Sequence, residues 1–141
     1  QFGIEDQGWV AWFCIATALG KPIRIFGDGK QIRDVLFIDD LIRAFELAYK
    51  NRTKACGQVF NIGGGPKNTL SLHELIGYLE EFKKEKIILS YDSWRPGDQK
   101  VFVGNITKAK KELGWEPTIN SVKEIKKLYK WVTENRNLFL N

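Results

Sequence analysis

Two arginines and one aspartate are the residues of this sequence best suited to hold a charged ligand. Arg33 follows a turn that ends at Gly29, and Arg95 comes directly after Trp94 with Asp98 close behind. A guanidinium binds a diphosphate through paired, charge-assisted hydrogen bonds, and a carboxylate can accept from ribose hydroxyls. Helix-start amides are the third group suited to phosphate. These types together favour binding of a nucleotide diphosphate.

Each of these residues also has a purely structural interpretation. Arg33 could form an ion pair with Asp34, Asp39 or Asp40. Arg95 could be an exposed loop arginine stacked on the neighbouring indole. Asp98 could cap the turn that Pro96-Gly97 predicts. The sequence alone leaves both interpretations open.

Other candidates for chemistry are weaker. The three consecutive glycines Gly63–Gly65 do not match the G-x-G-x-x-G motif of a dinucleotide-binding loop, because the last glycine of that motif is absent and no helix follows at once. We therefore expect a sharp turn and no cofactor site there. His73 is the only histidine and is best explained as a surface or half-buried helical residue. Cys14 and Cys56 suggest neither a disulfide framework nor a metal site.

Composition indicates a soluble globular protein. The 141 residues are 43% hydrophobic, and 22 Lys and Arg against 17 Asp and Glu leave a net charge of +5. The basic runs 83–86 and 108–111 are most simply solvated helix faces, so nucleic-acid binding is not expected. The longest apolar stretch, Val10 to Leu19, is too short to span a bilayer, so no membrane partner is predicted. We expect a cytoplasmic location.

Helical and strand patterns alternate along the chain, which predicts an α/β fold in a single domain, residues 1–141. We predict the helix bounds from two kinds of signal. Glycine and proline residues mark where helices end, and capping-box patterns at Ser71–Glu74 and Ser121–Glu124 mark where two of them begin. There are too few long apolar strands for a complete doubly wound sheet. The predicted helices are 9–19, 38–50, 71–82, 106–113 and 121–132, and the strands are 22–26, 33–37, 59–62, 87–91 and 101–103.

Three segments resemble the carboxy-terminal half of extended short-chain dehydrogenases that act on nucleotide sugars. They are Gly27 to Leu41, Phe60 to Gly65 and Arg95 to Asp98, and the resemblance extends over the whole chain. Glu5 to Ala11 and Trp94 to Gln99 look most like the CDP-paratose 2-epimerase (CDP-tyvelose epimerase) branch. UDP- or GDP-sugar epimerases and dehydratases of the same superfamily are the alternative. The implied fold is the carboxy-terminal portion of a Rossmann-type epimerase.

The resemblance also implies roles for particular positions. Residues matching Arg33 and Arg95 clasp the diphosphate, and the one matching Asp98 holds the ribose. The segment matching Ile25-Phe26 lies along the base. The helix start matching Trp9-Val10 approaches the phosphates through backbone amides. The partner is therefore a nucleotide-diphosphate sugar, held by two arginines that converge in space.

The family's catalytic half is missing from this sequence. Its glycine-rich NAD loop and its Tyr-x-x-x-Lys pair should precede this segment, and neither occurs here. None of the four tyrosines is followed by a lysine four residues later; those positions are occupied by Thr53, Phe82, Arg95 and Thr133. We therefore assign no catalytic residue and no NAD contact to this chain, and expect the missing amino-terminal half to be its partner.

Two rival interpretations remain. One is a non-catalytic interaction or nucleic-acid-binding module that uses basic helices around Lys83, Lys108 and Lys126. The other is a remnant without activity, in which the helix 9–19 and the strand 59–62 have lost their packing partners. That interpretation predicts self-association into a homo-oligomer through the exposed surface.

Overall fold

The computed structural model describes residues 8–140, which contain six α-helices and five short strands. The described residues form two compact units, one made of 8–31, 71–100 and 122–140 and the other of 32–70 and 101–121. Two 3₁₀ turns lie at Pro66–Asn68 and Arg136–Phe139. The elements in chain order are α1 (Trp9–Leu19), β1 (Ile23–Phe26), β2 (Ile32–Asp34), α2 (Ile38–Lys50), α3 (Arg52–Ala55), β3 (Thr69–Ser71), α4 (Leu72–Lys83), β4 (Leu89–Asp92), β5 (Val101–Phe102), α5 (Thr107–Leu113) and α6 (Ser121–Glu134).

The first unit is built on a parallel pair of strands, β1 and β4. Ile23 aligns with Leu89 and Phe26 with Asp92, so both strands end at the same edge. Ile23 and Ile25 are fully buried while Arg24 between them is exposed, as strand alternation requires. The predicted strands at 22–26 and 87–91 are thus confirmed with small shifts of their ends.

Helix α1 packs on α4 and β1 of the same unit. It begins and ends as predicted, and Gly20 ends it in the left-handed conformation at φ 70°. Its residues 13–18 are all buried, so the expectation that this helix had lost its packing partners is wrong. The sequence places Glu5 and Asp6 before this helix, where acidic residues complement an amino-terminal helix dipole, but both lie outside the described residues.

The second unit joins a three-stranded sheet, in the order β3-β2-β5, to a helical core. Strand β2 begins at Ile32 and ends at Asp34, earlier and shorter than predicted, and pairs in parallel with β5. Helix α2 has the predicted bounds and buries Ala44 against Leu113 and Trp115. The single turn α3 was not predicted, because four residues carry no helical period.

The segment 59–62 corrects a prediction. It was expected to be a buried strand, yet no strand is formed there within residues 8–140, and Val59 is 81% exposed. Phe60 and Ile62 are half-buried against the core of the second unit. An apolar run of four residues is too short to show the periodicity of a strand or a helix. A strand also forms only where a neighbouring strand provides the partners for its backbone hydrogen bonds.

Helix ends follow the sequence signals closely. Ser71 accepts from the Glu74 amide while the Glu74 carboxylate accepts from the Ser71 amide, which completes the predicted capping box. The Gly114 amide reaches the Lys110 carbonyl, and the Trp115 amide reaches that of Ala109. Helix α6 already begins at Ser121, so that serine lies within the helix rather than before it. No helix within residues 8–140 combines the length and apolar character needed to cross a bilayer.

The glycine at position 64 is expected to be irreplaceable for stability. A Cβ there would overlap the backbone carbonyl of Val35, which cannot swing away as a side chain could. Gly64→Ala should therefore lower the free energy of unfolding by about 2 kcal/mol or more. Gly77, exposed within α4 with nothing near its added Cβ, is the control, and Gly77→Ala should raise stability by about 0.5–1 kcal/mol. Urea denaturation measures both, and equal effects would contradict the assignment.

Candidate functional site

The carboxyl ends of β1 and β4 form the candidate site of the first unit. The chain leaves β1 at Phe26 and β4 at Asp92, and these residues are aligned partners. The Gly27 amide donates to the Asp92 carbonyl at 2.9 Å, which extends the pairing into both loops. Ligands of open α/β sheets bind outside the carboxyl ends of parallel strands. Loop residues after these two strands are therefore placed where a ligand is expected.

Arg95 lies over the ring of Phe26 at this edge. Its guanidinium carbon is 3.9 Å from the ring centroid, and that of Arg24 is 5.1 Å from the same ring. The neighbouring residue Ile25 is fully buried in the unit, and this burial fixes the strand backbone that carries Phe26. The arrangement combines an aromatic face suited to a nucleobase with a cation suited to phosphate.

Trp94 is positioned by the glycine that follows β1. Gly27 has φ 87°, and an added Cβ would lie 2.6 Å from the indole of Trp94. Glycine is therefore required twice, for the backbone conformation and for the close approach of the ring. Arg95 contacts the ring of Phe26, and Trp94 covers the Gly27 backbone.

Asp98 closes a tight turn behind Arg95. Its amide donates to the Arg95 carbonyl at 3.1 Å, and Gly97 has φ 76°. Proline at the second position and a positive φ at the third define a type II turn. The predicted turn at Pro96-Gly97 is confirmed, and it holds the half-buried Asp98 three residues from Arg95.

Two residues that the sequence did not single out for this role anchor the turn after β1. Buried Gln31 donates from its side-chain amide to the Phe26 carbonyl at 2.7 Å. A ring nitrogen of His73 lies 2.8 Å from the Asp28 carbonyl, and the His73 amide donates to the Gly29 carbonyl. His73 is an exposed residue of α4, as predicted. These bonds fix the loop that presents Phe26.

The first turn of α1 is the third feature of this unit. Gly8 precedes the helix in the left-handed conformation without a side-chain cap, and the first turn carries no acidic residue. The amides of Trp9 and Val10 lie in that turn, where helix amides point outward along the axis. A helix start of this kind suits an anion.

Arg33 belongs to the second unit, on strand β2. Its Nη1 donates to the carbonyl of Ile32 at 2.8 Å, and the residue is half-buried. The side chain therefore folds back along its own strand. Whether Arg33 converges with Arg95, as the resemblance implies, stays a prediction.

Two of the carboxylates considered as partners for Arg33 have structural roles. Asp34 accepts from the amides of Gly65 at 2.9 Å and Gly104 at 3.2 Å. Its carboxylate thus ties the glycine triplet to the chain after β5, and the triplet's sharp turn is confirmed.

The other carboxylate, Asp40, is 1% exposed and connects helix α2 to the segment after α5. It accepts from the Thr118 and Ile119 amides at 3.0 Å and from Arg43 at 2.6 Å. Burial by itself raises the pKa of Asp40, but these hydrogen bonds outweigh burial and hold the pKa below its ordinary value. Arg43 also donates to the carbonyl of Glu116.

Metal and thiol chemistry have little support within residues 8–140. No group of three or more His, Cys, Asp and Glu side chains is placed to hold a metal ion in that part of the chain. Burial raises the pKa of the Cys14 thiol to about 12, so this thiol stays protonated and unreactive at neutral pH. Cys56 is exposed and has no disulfide partner.

An α/β layer with loops at the carboxyl edge of a parallel strand pair is typical of α/β proteins that bind ligands at that edge. The chain belongs to the family described as GDP-mannose 4,6 dehydratase, whose profile matches residues 10–128. It is 39% identical over 138 residues to the CDP-paratose 2-epimerase of Salmonella typhi, covering 94% of this chain and 41% of that protein. It is also 39% identical over 118 residues to the UDP-glucuronate 4-epimerase of Thermodesulfobacterium geofontis, covering 84% and 35%.

Solved structures give the same result. The UDP-glucuronic acid 4-epimerase of Bacillus cereus, in complex with UDP-glucuronic acid and NAD, matches with a TM-score of 0.83 and 29% identity, over 92% of this chain and 40% of that one. The UDP-glucose 4-epimerase of Thermotoga maritima, solved with UDP-glucose, matches at 0.78 and 32% identity, over 93% and 40%. The α/β epimerase fold expected from the resemblance is confirmed. The chain spans less than half the length of these relatives.

Proposed function

We propose that this chain binds the nucleotide diphosphate part of a nucleotide sugar within an NAD-dependent epimerase, with a CDP-paratose 2-epimerase as the favoured member. The observation that carries the proposal is the guanidinium of Arg95 over the ring of Phe26, at the carboxyl edge of β1 and β4. The similarity to the Salmonella typhi enzyme supports the CDP-sugar assignment. UDP- or GDP-sugar enzymes of the same family are the alternative.

Each site residue then has a role in this binding. The segment Ile25-Phe26 lies along the base through the ring of Phe26, because Ile25 is fully buried beneath it. Asp98 accepts from the ribose. Arg95 and Arg33 bind the diphosphate, because two guanidinium groups match its paired oxygens and charge.

The amides at the start of α1 complete the proposed phosphate site. The residues that supply them are Trp9 and Val10. None of these groups breaks or forms a covalent bond, so the proposed role is to bind and orient the ligand.

The chemical step is proposed to come from the part of the relatives that this chain lacks. The chain spans 41% of the Salmonella typhi enzyme, and no tyrosine in its sequence has a lysine four residues later. NAD bound by the remaining part would accept a hydride from a sugar carbon and return it to the opposite face. A cytoplasmic location, where nucleotide sugars are expected, belongs to the same proposal.

Calorimetric titration with CDP and with UDP tests this proposal. We expect saturable binding of CDP, weakened in Arg33→Ala and in Arg95→Ala. Unchanged binding by both variants would remove the proposed diphosphate clamp. Equal affinity for CDP and UDP would leave the clamp in place and count against the CDP-sugar assignment.

The rival nucleic-acid-binding function has less support. Several lysines of the basic segments are paired with acids of their own unit, including Lys86 with Glu80 at 2.6 Å and Lys110 with Glu116 at 2.7 Å. Such pairing reduces the positive field that a phosphate backbone would meet. A steeply salt-dependent affinity for random DNA that survives Arg33→Ala and Arg95→Ala would favour the rival.

A further inference from the structure

Two guanidinium groups lie over the ring of Phe26. The guanidinium carbon of Arg95 is 3.9 Å from the ring centroid, and that of Arg24 is 5.1 Å from it. A distance of 3.9 Å is van der Waals contact, so no other planar group fits between Arg95 and the ring. Arg95 therefore covers a face of Phe26 on which a nucleobase would stack.

The two arginines differ in how they are held. Arg24 projects from β1, and its Nη1 lies 3.9 Å from Oδ2 of Asp92 on the paired strand. Arg95 belongs to the loop after β4, where its carbonyl accepts from the Asp98 amide and so fixes the backbone of the turn. A long side chain can change its rotamer while the turn that carries it stays in place. Arg95 is the better placed of the two to leave the ring toward a ligand.

A base and the guanidinium of Arg95 compete for the same space. The atoms of a stacked base would lie about 3.5–4.0 Å from the ring of Phe26, which is the layer that Arg95 fills. A cation over a partly exposed ring is held strongly enough to change an affinity about two- to fivefold. A nucleoside without phosphate has to displace Arg95 and offers this arginine no anion in exchange.

We propose that Arg95 selects phosphorylated nucleotides by coupling the position of the base to that of the diphosphate. The diphosphate draws the guanidinium off Phe26, because paired charge-assisted hydrogen bonds to phosphate are stronger than a contact with a neutral ring. The base then stacks on the face that the guanidinium has left. The inference rests on the proposed function and goes beyond it, since Arg95 becomes a residue that discriminates nucleotides from nucleosides at the base as well as a phosphate ligand.

The two halves of the ligand should therefore bind cooperatively. Inorganic pyrophosphate draws Arg95 away, and cytidine added afterwards meets an uncovered ring. By linkage, cytidine raises the affinity for pyrophosphate by the same factor. The expected coupling is about two- to fivefold, because both ligands have to break the same contact and together they break it only once.

The test measures cytidine affinity by nuclear magnetic resonance titration of the ¹⁵N-labelled chain, with and without saturating pyrophosphate. Wild type should bind cytidine about two- to fivefold more tightly when pyrophosphate is present. Arg95→Ala should bind cytidine alone about two- to fivefold more tightly than wild type does, although it binds CDP more weakly. Pyrophosphate should have no further effect on cytidine in this variant. A merely structural role of Arg95 would instead weaken the binding of both cytidine and CDP.

Arg24→Ala is the matched control, because it removes the other guanidinium over Phe26 and leaves Arg95 in place. The coupling between cytidine and pyrophosphate should persist in this variant. Cytidine affinity that stays the same or falls in Arg95→Ala would overturn the inference, as would a coupling that Arg24→Ala abolishes equally. Undetectable cytidine binding by both wild type and Arg95→Ala would also overturn it, because the uncovered ring would then not accept a base.

CDP binding separates this inference from the proposed function. Saturable CDP binding by wild type, together with equal cytidine affinities of wild type and Arg95→Ala, would keep the proposed function and remove the coupling. Absence of CDP binding by wild type would remove the proposed function. The cytidine comparison would then still decide whether Arg95 covers a face that accepts a base.

Discussion

Asp40→Asn is expected to lower the free energy of unfolding by about 3 kcal/mol, the largest stability loss that we expect from a single carboxylate of the second unit. The wild-type carboxylate accepts from Arg43 and from the amides of Thr118 and Ile119. The asparagine amide group would direct its own N–H toward one of these donors. A buried donor left unpaired costs about 1–3 kcal/mol, and more where it is charged.

The control for this substitution is the neighbouring carboxylate of the same helix turn. Asp39 is exposed, so Asp39→Asn should change stability by less than about 1 kcal/mol. Urea denaturation at neutral pH measures both variants. Similar losses in the two would show that helix charge, rather than the buried contacts of Asp40, sets the stability.

The pH dependence of stability provides a second, independent test of the role of Asp40. The pKa of Asp40 is lower in the folded chain than its ordinary value, so its contribution is fully present above the unfolded pKa of about 3.9. It is lost as the pH falls through the folded pKa. The stability difference between wild type and Asp40→Asn should therefore be constant near neutral pH and shrink below about pH 4. A difference that grew on acidification would contradict the hydrogen bonds assigned to Asp40.

Arg95→Ala is expected to weaken CDP binding by about 30-fold or more. One or two charge-assisted hydrogen bonds to the diphosphate contribute about 1.5–3 kcal/mol each, which corresponds to tenfold or more apiece. Arg95→Lys keeps the charge but loses the planar fork and the ring contact with Phe26, so its affinity should lie between those of wild type and Arg95→Ala.

Arg52 provides a matched control for Arg95. Its guanidinium lies 5.3 Å from the ring centroid of Tyr49, so it is also an arginine over an aromatic ring, but it belongs to the second unit and is exposed. Arg52→Ala should leave CDP affinity within about twofold of wild type. Calorimetry at fixed ionic strength measures the series, and an equal loss in Arg52→Ala would indicate a nonspecific charge effect.

Local signals predicted the elements well. The apolar run that ends at Gly20 gave the bounds of α1, and the Ser71 capping box gave the start of α4, because each signal lies within the element that it ends or begins. The strand expected at 59–62 was wrong because its formation depends on a neighbour that no local pattern can reveal. Length and burial of a four-residue segment are set by what packs beside it.

The candidate site was predicted in part. The residue types alone indicated the turn around Gly97 and the two arginines as candidate ligands. The contact of Arg95 with Phe26 could not be predicted in this way, because it joins two loops that are far apart in the sequence. The roles of His73 and Asp34 depend on partners 45 and 70 residues away. Such contacts are set by the topology of the fold, so a single sequence does not reveal them.

Nuclear magnetic resonance of the ¹⁵N-labelled chain during a CDP titration tests whether the loops after β1 and β4 bind the nucleotide. We expect saturable shifts concentrated in the amides of 26–29 and 94–99, the two loops that leave β1 and β4, with the Nε signal of Arg95 among them. Shifts confined to the basic segments 83–86 and 108–111, or the absence of any shift at saturating CDP, would contradict it.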